Sequence, residues 1–232
     1  MHNDFMEPQY EVMRRTETEF GREVLGLSTN AAYALDPKHL LFRAARYKFA
    51  ARILEGQNRV LEVGCGDAFM TRIIQQHVGS VVAIDFDSLL VNDAKSRSSD
   101  NWPLELRVHN ILDAPLRENF DAAVSLDVIE HISPDRETEF LANIVSSISD
   151  KGVVVIGAPS LESQQFASKE SLEGHVNCKT ASDLKKNLEV HFHNVFVFSM
   201  NDEVVHTGFH KMANYLFAVC CNPKIQTSFD MA

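Results

Sequence analysis

The chain has 232 residues, 45% of them hydrophobic and 23% charged, with a formal net charge of -10. That suffices for one α/β domain with a buried core and is too short for two large ones. The acidic balance repels a polyphosphate backbone, so nucleic acid is not an expected partner. The four cysteines, Cys65, Cys178, Cys220 and Cys221, form no CxxC pair. This usage fits a reduced, cytoplasmic protein rather than a disulfide scaffold. The N-terminal MHNDFMEPQYEVMRR is polar and acidic, unlike a signal peptide, and no apolar run approaches the ~20 residues of a membrane span.

Residues 4–24 are acidic with scattered apolar positions, among them Phe5, Met13 and Phe20, and predict a helix that covers something. Residues 26–34 read as a loop. Asp36-Pro37 is a helix start, with Asp36 as cap and Pro37 at the first helical position. The following KHLLFRAARYKFAARIL has helical spacing and ends near Gly56. Its Lys38, Arg43, Arg46, Lys48 and Arg52 read first as a solvated basic face.

From residue 59 the pattern changes. Strands are expected at RVLEV, SVVAIDFD, LELRVHN, FDAAVSLDV, GVVVIGAP, HNVFVFSM and MANYLFAVCC. Helices are expected at AFMTRIIQQHV, SLLVNDAKSR, DRETEFLANIVSSI and TASDLKKNLEVHF. Alternation of this kind implies right-handed crossovers and a parallel sheet covered on both faces. The last two strands lack room for a helix between them and should pair antiparallel across the loop NDEVVHTGFHK. The expected fold class is therefore α/β: a doubly wound, mostly parallel seven-stranded sheet with one antiparallel strand and an N-terminal helical extension. The expected divisions are 1–56, 57–222 and a tail at 223–232. Ligands of such sheets sit beyond the carboxyl ends of the strands, which points to loops 64–69, 85–88, 109–114, 126–133 and 158–178.

The loop Gly64-Cys65-Gly66-Asp67-Ala68-Phe69 departs from the pyrophosphate fingerprint GxGxxG, because Phe69 replaces the third glycine. Asp67 also stands where a phosphate would need the helix dipole to itself. A ligand carrying an ammonium and a sulfonium suits that loop better than a dinucleotide. The segment Glu62-Val63-Gly64-Cys65-Gly66-Asp67 resembles the first motif of the class I S-adenosylmethionine-dependent methyltransferases. The resemblance extends over roughly residues 58–222, through element order, Asp85 and the segment DVIEHI. It implies a Rossmann-like methyltransferase fold and S-adenosylmethionine as cofactor. It further implies that Gly64, Cys65 and Gly66 admit the methionyl part and that Glu62 orients the loop and the ammonium. By the same resemblance Asp85 takes the ribose hydroxyls, Phe86 packs against adenine, and Asn110 or Asp113 with Ile111 meets the adenine edge. Leu126 and Asp127 flank the cofactor. For Phe86, ordinary core packing is the competing reading.

Methyl transfer is an in-line displacement, so the protein supplies alignment and water exclusion. A hydroxyl acceptor also needs its proton removed, a task suited to histidine. Of the ten histidines, His131 after the fourth strand is the first candidate base and His175 the second, with Asn177 beside it to orient a polar acceptor. His206 and His210 are spaced HxxxH, yet Gly208 argues against the helix a metal would need, and no metal is expected. The resemblance gives the N-terminal 55 residues the role of a lid over the acceptor. A looser resemblance to bacterial methyltransferases of surface-polysaccharide biosynthesis favours O-methylation of a sugar-linked or other hydroxyl on a small molecule, anionic or sugar-nucleotide-linked. N-methylation of a small metabolite is the alternative, followed by a non-catalytic cofactor-binding partner and by a dehydrogenase-like enzyme. A homodimer is compatible with all of these.

Overall fold

The computed structural model describes residues 7–224 and opens with three helices, α1 (Pro8–Phe20), α2 (Leu27–Leu35) and α3 (Pro37–Ile53). The first is the helix expected from the acidic segment; Phe5 lies outside the described residues. It leaves residues 9–20 exposed instead of covering the sheet. The second replaces an expected loop. Its Gly26 cap supplies no side chain, so the local sequence lacks a start signal. The free amides of its first turn are met from elsewhere: Leu27 N–H donates to Asp93 at 3.2 Å and Thr29 N–H to Asp67 at 2.7 Å. α3 starts as expected, with the Asp36 carboxylate accepting from Lys38 N–H at 3.2 Å. Ala50 and Ala51 let it approach the sheet closely, both fully buried.

The sheet has eight strands, β1 (Arg59–Val63), β2 (Ser80–Asp85), β3 (Glu105–Val108), β4 (Phe120–Leu126), β5 (Ile148–Pro159), β6 (Phe192–Asn201), β7 (Val204–His206) and β8 (Tyr215–Pro223). Their order is β3-β2-β1-β4-β5-β8-β6-β7. The five strands from β3 to β5 are parallel, and β8 is inserted antiparallel between β5 and β6. The count exceeds the expected seven because β7 forms inside the 201–211 loop. It folds back on β6 with Asn201 opposite Val204, and the two-residue turn between them holds Asp202 at φ 51°. Crossovers are made by α4 (Thr71–Gln75), α5 (Ser88–Ser96), α6 (Glu137–Ser147) and α8 (Ala181–Leu188), while α7 (Lys169–Gly174) lies in the loop after β5. α4 starts later than its sequence pattern, after Ala68 at φ 52°.

Successive residues of a strand face opposite sides, and the two sides have separate cores. Val60 packs with Ala50, Leu54, Ile74 and Val91, whereas Leu61 packs with Ile84, Phe140, Ile144 and Leu184. Strand order reverses between β1 and its neighbours β2 and β4, and the loops leaving their carboxyl ends open a crevice there. Among the described residues no helix is long and apolar enough to cross a membrane. Of the expected tail, Pro223 ends β8, Lys224 donates its N–H to His191, and residues 225–232 lie outside the described residues.

Candidate active site

The crevice is a cavity of about 890 Å³, floored by loops from the strand ends and roofed by α2 and α3. That is near the upper end of the ~300–1,000 Å³ usual for small-molecule sites. The glycine loop forms one wall. Gly64 has φ 78°, and a Cβ there would stand 2.2 Å from Cγ2 of Val128. Gly66 has φ 55° and open space where a Cβ would project. Its N–H donates to Asp85 Oδ2 at 2.8 Å, and Asp87 N–H donates to the other Asp85 oxygen at 2.9 Å. Each carboxylate oxygen has a second lone pair, so Asp85 can still accept further hydrogen bonds.

Behind the loop, Glu62 is 2% exposed. The Tyr47 hydroxyl donates to its Oε1 at 2.8 Å, and its Oε2 is buried without a partner. Burial pushes its pKa up to about 7, against the neighbouring Thr71 and Tyr47 hydroxyls. Cys65 is buried beside the cavity, and burial raises its thiol pKa. Phe86 is 75% exposed on the cavity rim, which rules out the core-packing reading. Asn110 and Ile111 line the same cavity. The Asn110 side chain is folded onto its own turn, accepting from Leu112 N–H at 3.1 Å and donating to Asp113 at 3.2 Å.

Two residues depart from the roles expected of them. Asp67 does not face a ligand: it is buried, and its two oxygens accept from the amide and hydroxyl of Thr29, capping α2. Asn177 does not reach an acceptor. It is buried, donating to Glu137 at 2.8 Å and accepting from Lys179 at 2.7 Å. The basic segment also divides. Arg52 is a surface residue paired with Glu55, while Arg43 and Arg46 line the cavity. Arg46 Nη1 donates to both Asp127 oxygens at 2.9 and 3.0 Å, and its guanidinium lies 4.0 Å above the Tyr215 ring. Asp127, at φ 58°, donates its N–H to Gly157.

His131 and His175, 44 positions apart in sequence, come together with ring centroids 5.1 Å apart. His131 sits in a short 3-10 turn (Ile129–His131) after β4, and His175 follows α7. Each ring points Nδ1 at an oxygen that only accepts: Gly174 carbonyl at 2.9 Å for His131, Gln164 side-chain carbonyl at 3.0 Å for His175. Each Nδ1 therefore carries a proton, and in the neutral tautomer this leaves Nε2 with its lone pair. Burial, then the adjacent His131, lowers the His175 pKa. Glu130 joins the pair; one donor atom from each of the three lies within 4.8 Å of the others. Glu130 was not singled out from sequence, although its place beside His131 in IEHI was a usable signal. Nor were Tyr47, between Arg46 and Lys48, and Tyr215, in the apolar run MANYLFAVCC. His206 and His210 do not meet: His206 pairs with Asn201 and His210 with Ser199.

A family model described as a methyltransferase domain matches residues 60–152. The ubiquinone biosynthesis O-methyltransferase of Schizosaccharomyces pombe mitochondria is 23% identical over 204 residues, 82% of this chain and 70% of that one. An uncharacterized methyltransferase of Mycobacterium tuberculosis is 31% identical over 136 residues, 58% of this chain and 66% of that one. The crystal structure of the N-methyltransferase NodS from Bradyrhizobium japonicum WM9 with S-adenosylhomocysteine shares the fold, with TM-score 0.63, 17% identity, and coverage of 94% of this chain and 100% of that one. Glycine loop, crevice, sheet order and these likenesses converge: the chain belongs to the class I S-adenosylmethionine-dependent methyltransferases.

Proposed function

We propose that the enzyme methylates a hydroxyl of a small, anionic molecule, held between the glycine loop and the His131–His175 pair. The observation that carries this reading is that one cavity is lined by both. The residues present fit the cofactor. Gly66 has free space over its backbone, Asp85 keeps acceptor capacity, and the buried Glu62 Oε2 wants a cation or a proton. Gly64, Cys65 and Gly66 then form the wall for the methionyl part, with Glu62 behind it answering the ammonium. Asp85 takes the ribose hydroxyls, Phe86 the adenine face, and Asn110 with Ile111 the adenine edge. When bound, the cofactor supplies a methyl carbon activated by its sulfonium.

The chain's own work is alignment and proton handling. Arg43, Arg46 and His39 on α3 line the acceptor side, which supports an anionic acceptor such as a sugar-nucleotide-linked hydroxyl. Asp127 holds Arg46 in place there. The Nε2 lone pairs of His131 and His175 are oriented to accept the hydroxyl proton. Of the N-terminal extension, α2 and α3 act as the lid over the methyltransferase domain. The lid's cavity lining includes Ser28, His39, Arg43 and Arg46 rather than an apolar plug, which favours catalysis over a non-catalytic partner role. The ubiquinone O-methyltransferase relatives support oxygen as the accepting atom, and the four free thiols suit a reducing, cytoplasmic setting.

Calorimetry with S-adenosylhomocysteine on wild type and Asp85→Ala tests the cofactor contacts, with at least about tenfold weaker binding expected for the loss of charged hydrogen bonds. Transfer from labelled cofactor to matched hydroxyl and amine sugar nucleotides tests the acceptor. An amine product would reject the oxygen acceptor, and unchanged affinity in Asp85→Ala would reject the ribose contact.

A further inference from the structure

The structure assigns to Glu130, His131 and His175 a site for a divalent transition-metal cation, opening onto the acceptor side of the cavity. Three independent features carry it. First, one donor atom from each residue lies within 4.8 Å of the other two. Ligand atoms about 2.1 Å from a shared ion in a tetrahedral shell lie about 3.4 Å apart, so the trio needs to close by at most about 1.4 Å around an ion. Second, Glu130 is 1% exposed, lines the cavity, and its Oε2 has no hydrogen-bond partner. A buried carboxylate oxygen left bare is costly unless a cation or a proton answers it. Third, both rings donate Nδ1–H to a carbonyl oxygen, so in the neutral tautomer both have Nε2 free to ligate. That arrangement orients metal-bound imidazoles and fixes their tautomer. The Glu130 Oε2 accepts from neither ring.

The chemistry selects the ion. Two imidazoles and one carboxylate suit zinc, iron, cobalt or manganese better than calcium, which prefers all-oxygen shells. Three protein ligands leave positions open, as in catalytic rather than structural sites. Asp127 stays tied to Arg46 and is not counted among the ligands.

The role of the ion, though not the site itself, rests on the proposed function. An acceptor hydroxyl bound at an open position becomes more acidic, its O–H bond breaks and the proton leaves to water. The resulting oxyanion forms the new C–O bond as the C–S bond breaks, its electron pair remaining on sulfur. This refines the proposed function: with the ion bound, His131 and His175 promote loss of the hydroxyl proton as ligands of the ion rather than by accepting it on Nε2.

The test uses tag-free full-length protein stripped with a chelator and titrated with cobalt(II), followed by calorimetry and visible absorption. One equivalent should bind with the d–d bands of a nitrogen-containing shell. Glu130→Gln, His131→Ala and His175→Ala should each weaken binding by at least about tenfold. His206→Ala, remote from the trio, should bind as wild type does. S-adenosylhomocysteine calorimetry on the same samples verifies folding and keeps the two readings apart, since cobalt binding without nucleoside binding would sink the proposed function and leave the cation site standing. No cobalt uptake by wild type, or equal uptake by all three variants, would overturn the assignment.

Discussion

Gly64→Ala separates two costs that the glycine loop avoids. The first is backbone: an L-residue at φ 78° is in the left-handed region, at about 1–2 kcal/mol. The second is steric. The new methyl would stand 2.2 Å from Val128 Cγ2, so Val128 or the loop must shift, at about 1–3 kcal/mol for overpacking. Together Gly64→Ala should lose about 2–5 kcal/mol. Val128→Ala removes the obstructing carbon and leaves the backbone cost intact. The double variant should therefore be more stable than additivity allows, with a coupling of about 1–3 kcal/mol. Gly66→Ala is the internal control: at φ 55° with nothing near, it should lose only about 1–2 kcal/mol and show no coupling to Val128→Ala. Its methyl would nonetheless enter the space over the loop, so S-adenosylhomocysteine affinity should fall beyond what stability explains. Urea unfolding followed by circular dichroism gives the stabilities, and calorimetry the affinities. A Gly64→Ala protein within about 0.5 kcal/mol of wild type, or an additive cycle, would refute the steric argument.

Glu62 predicts a pH signature. Its folded pKa of about 7 lies above the ordinary 4.5, so the folded state binds the proton more tightly than the unfolded one. Stability from this group is full below about pH 4.5 and declines by about 3 kcal/mol as pH rises to 7, and Glu62→Gln should flatten that window in urea titrations at successive pH values. Asp67→Ala should strip the cap from α2 and leave the buried Thr29 amide unanswered, at about 1–3 kcal/mol, read as faster amide exchange in residues 27–35. Gln164→Ala should weaken cobalt binding about tenfold by releasing the His175 ring while leaving the melting temperature near that of wild type.

What the sequence disclosed and what it hid follow one physical line. Signals carried by neighbours in the chain were legible: the Asp36-Pro37 start, the apolar strands, the glycines at a strand end, the acidic end of β2. Features completed by distant residues were not. α2 is started by Asp67 and Asp93, so its own segment reads as loop. The same bond explains why Asp67, which from its position promised a ligand contact, is unavailable for one. His131 and His175 were each visible as strand-end histidines, but their convergence with Glu130 depends on how the 158–178 loop returns to the turn after β4. Asn177 makes that return, its N–H donating to the Glu130 carbonyl at 2.9 Å. Arg46 looked like one more solvated cation because helical periodicity alone does not reveal which face meets a crevice.

The place of β8 in the sheet has a consequence for biosynthesis. β6 and β7 precede it in the chain, yet they join the rest of the sheet only through it. As the polypeptide leaves the ribosome, β1 to β5 can assemble, while the hairpin of residues 192–206 waits with no strand to receive it. The open edge of β5 stays unprotected for the same interval, a template for pairing with another nascent chain. Both edges are closed by the same segment, residues 215–223, which pairs with β5 on one side and β6 on the other.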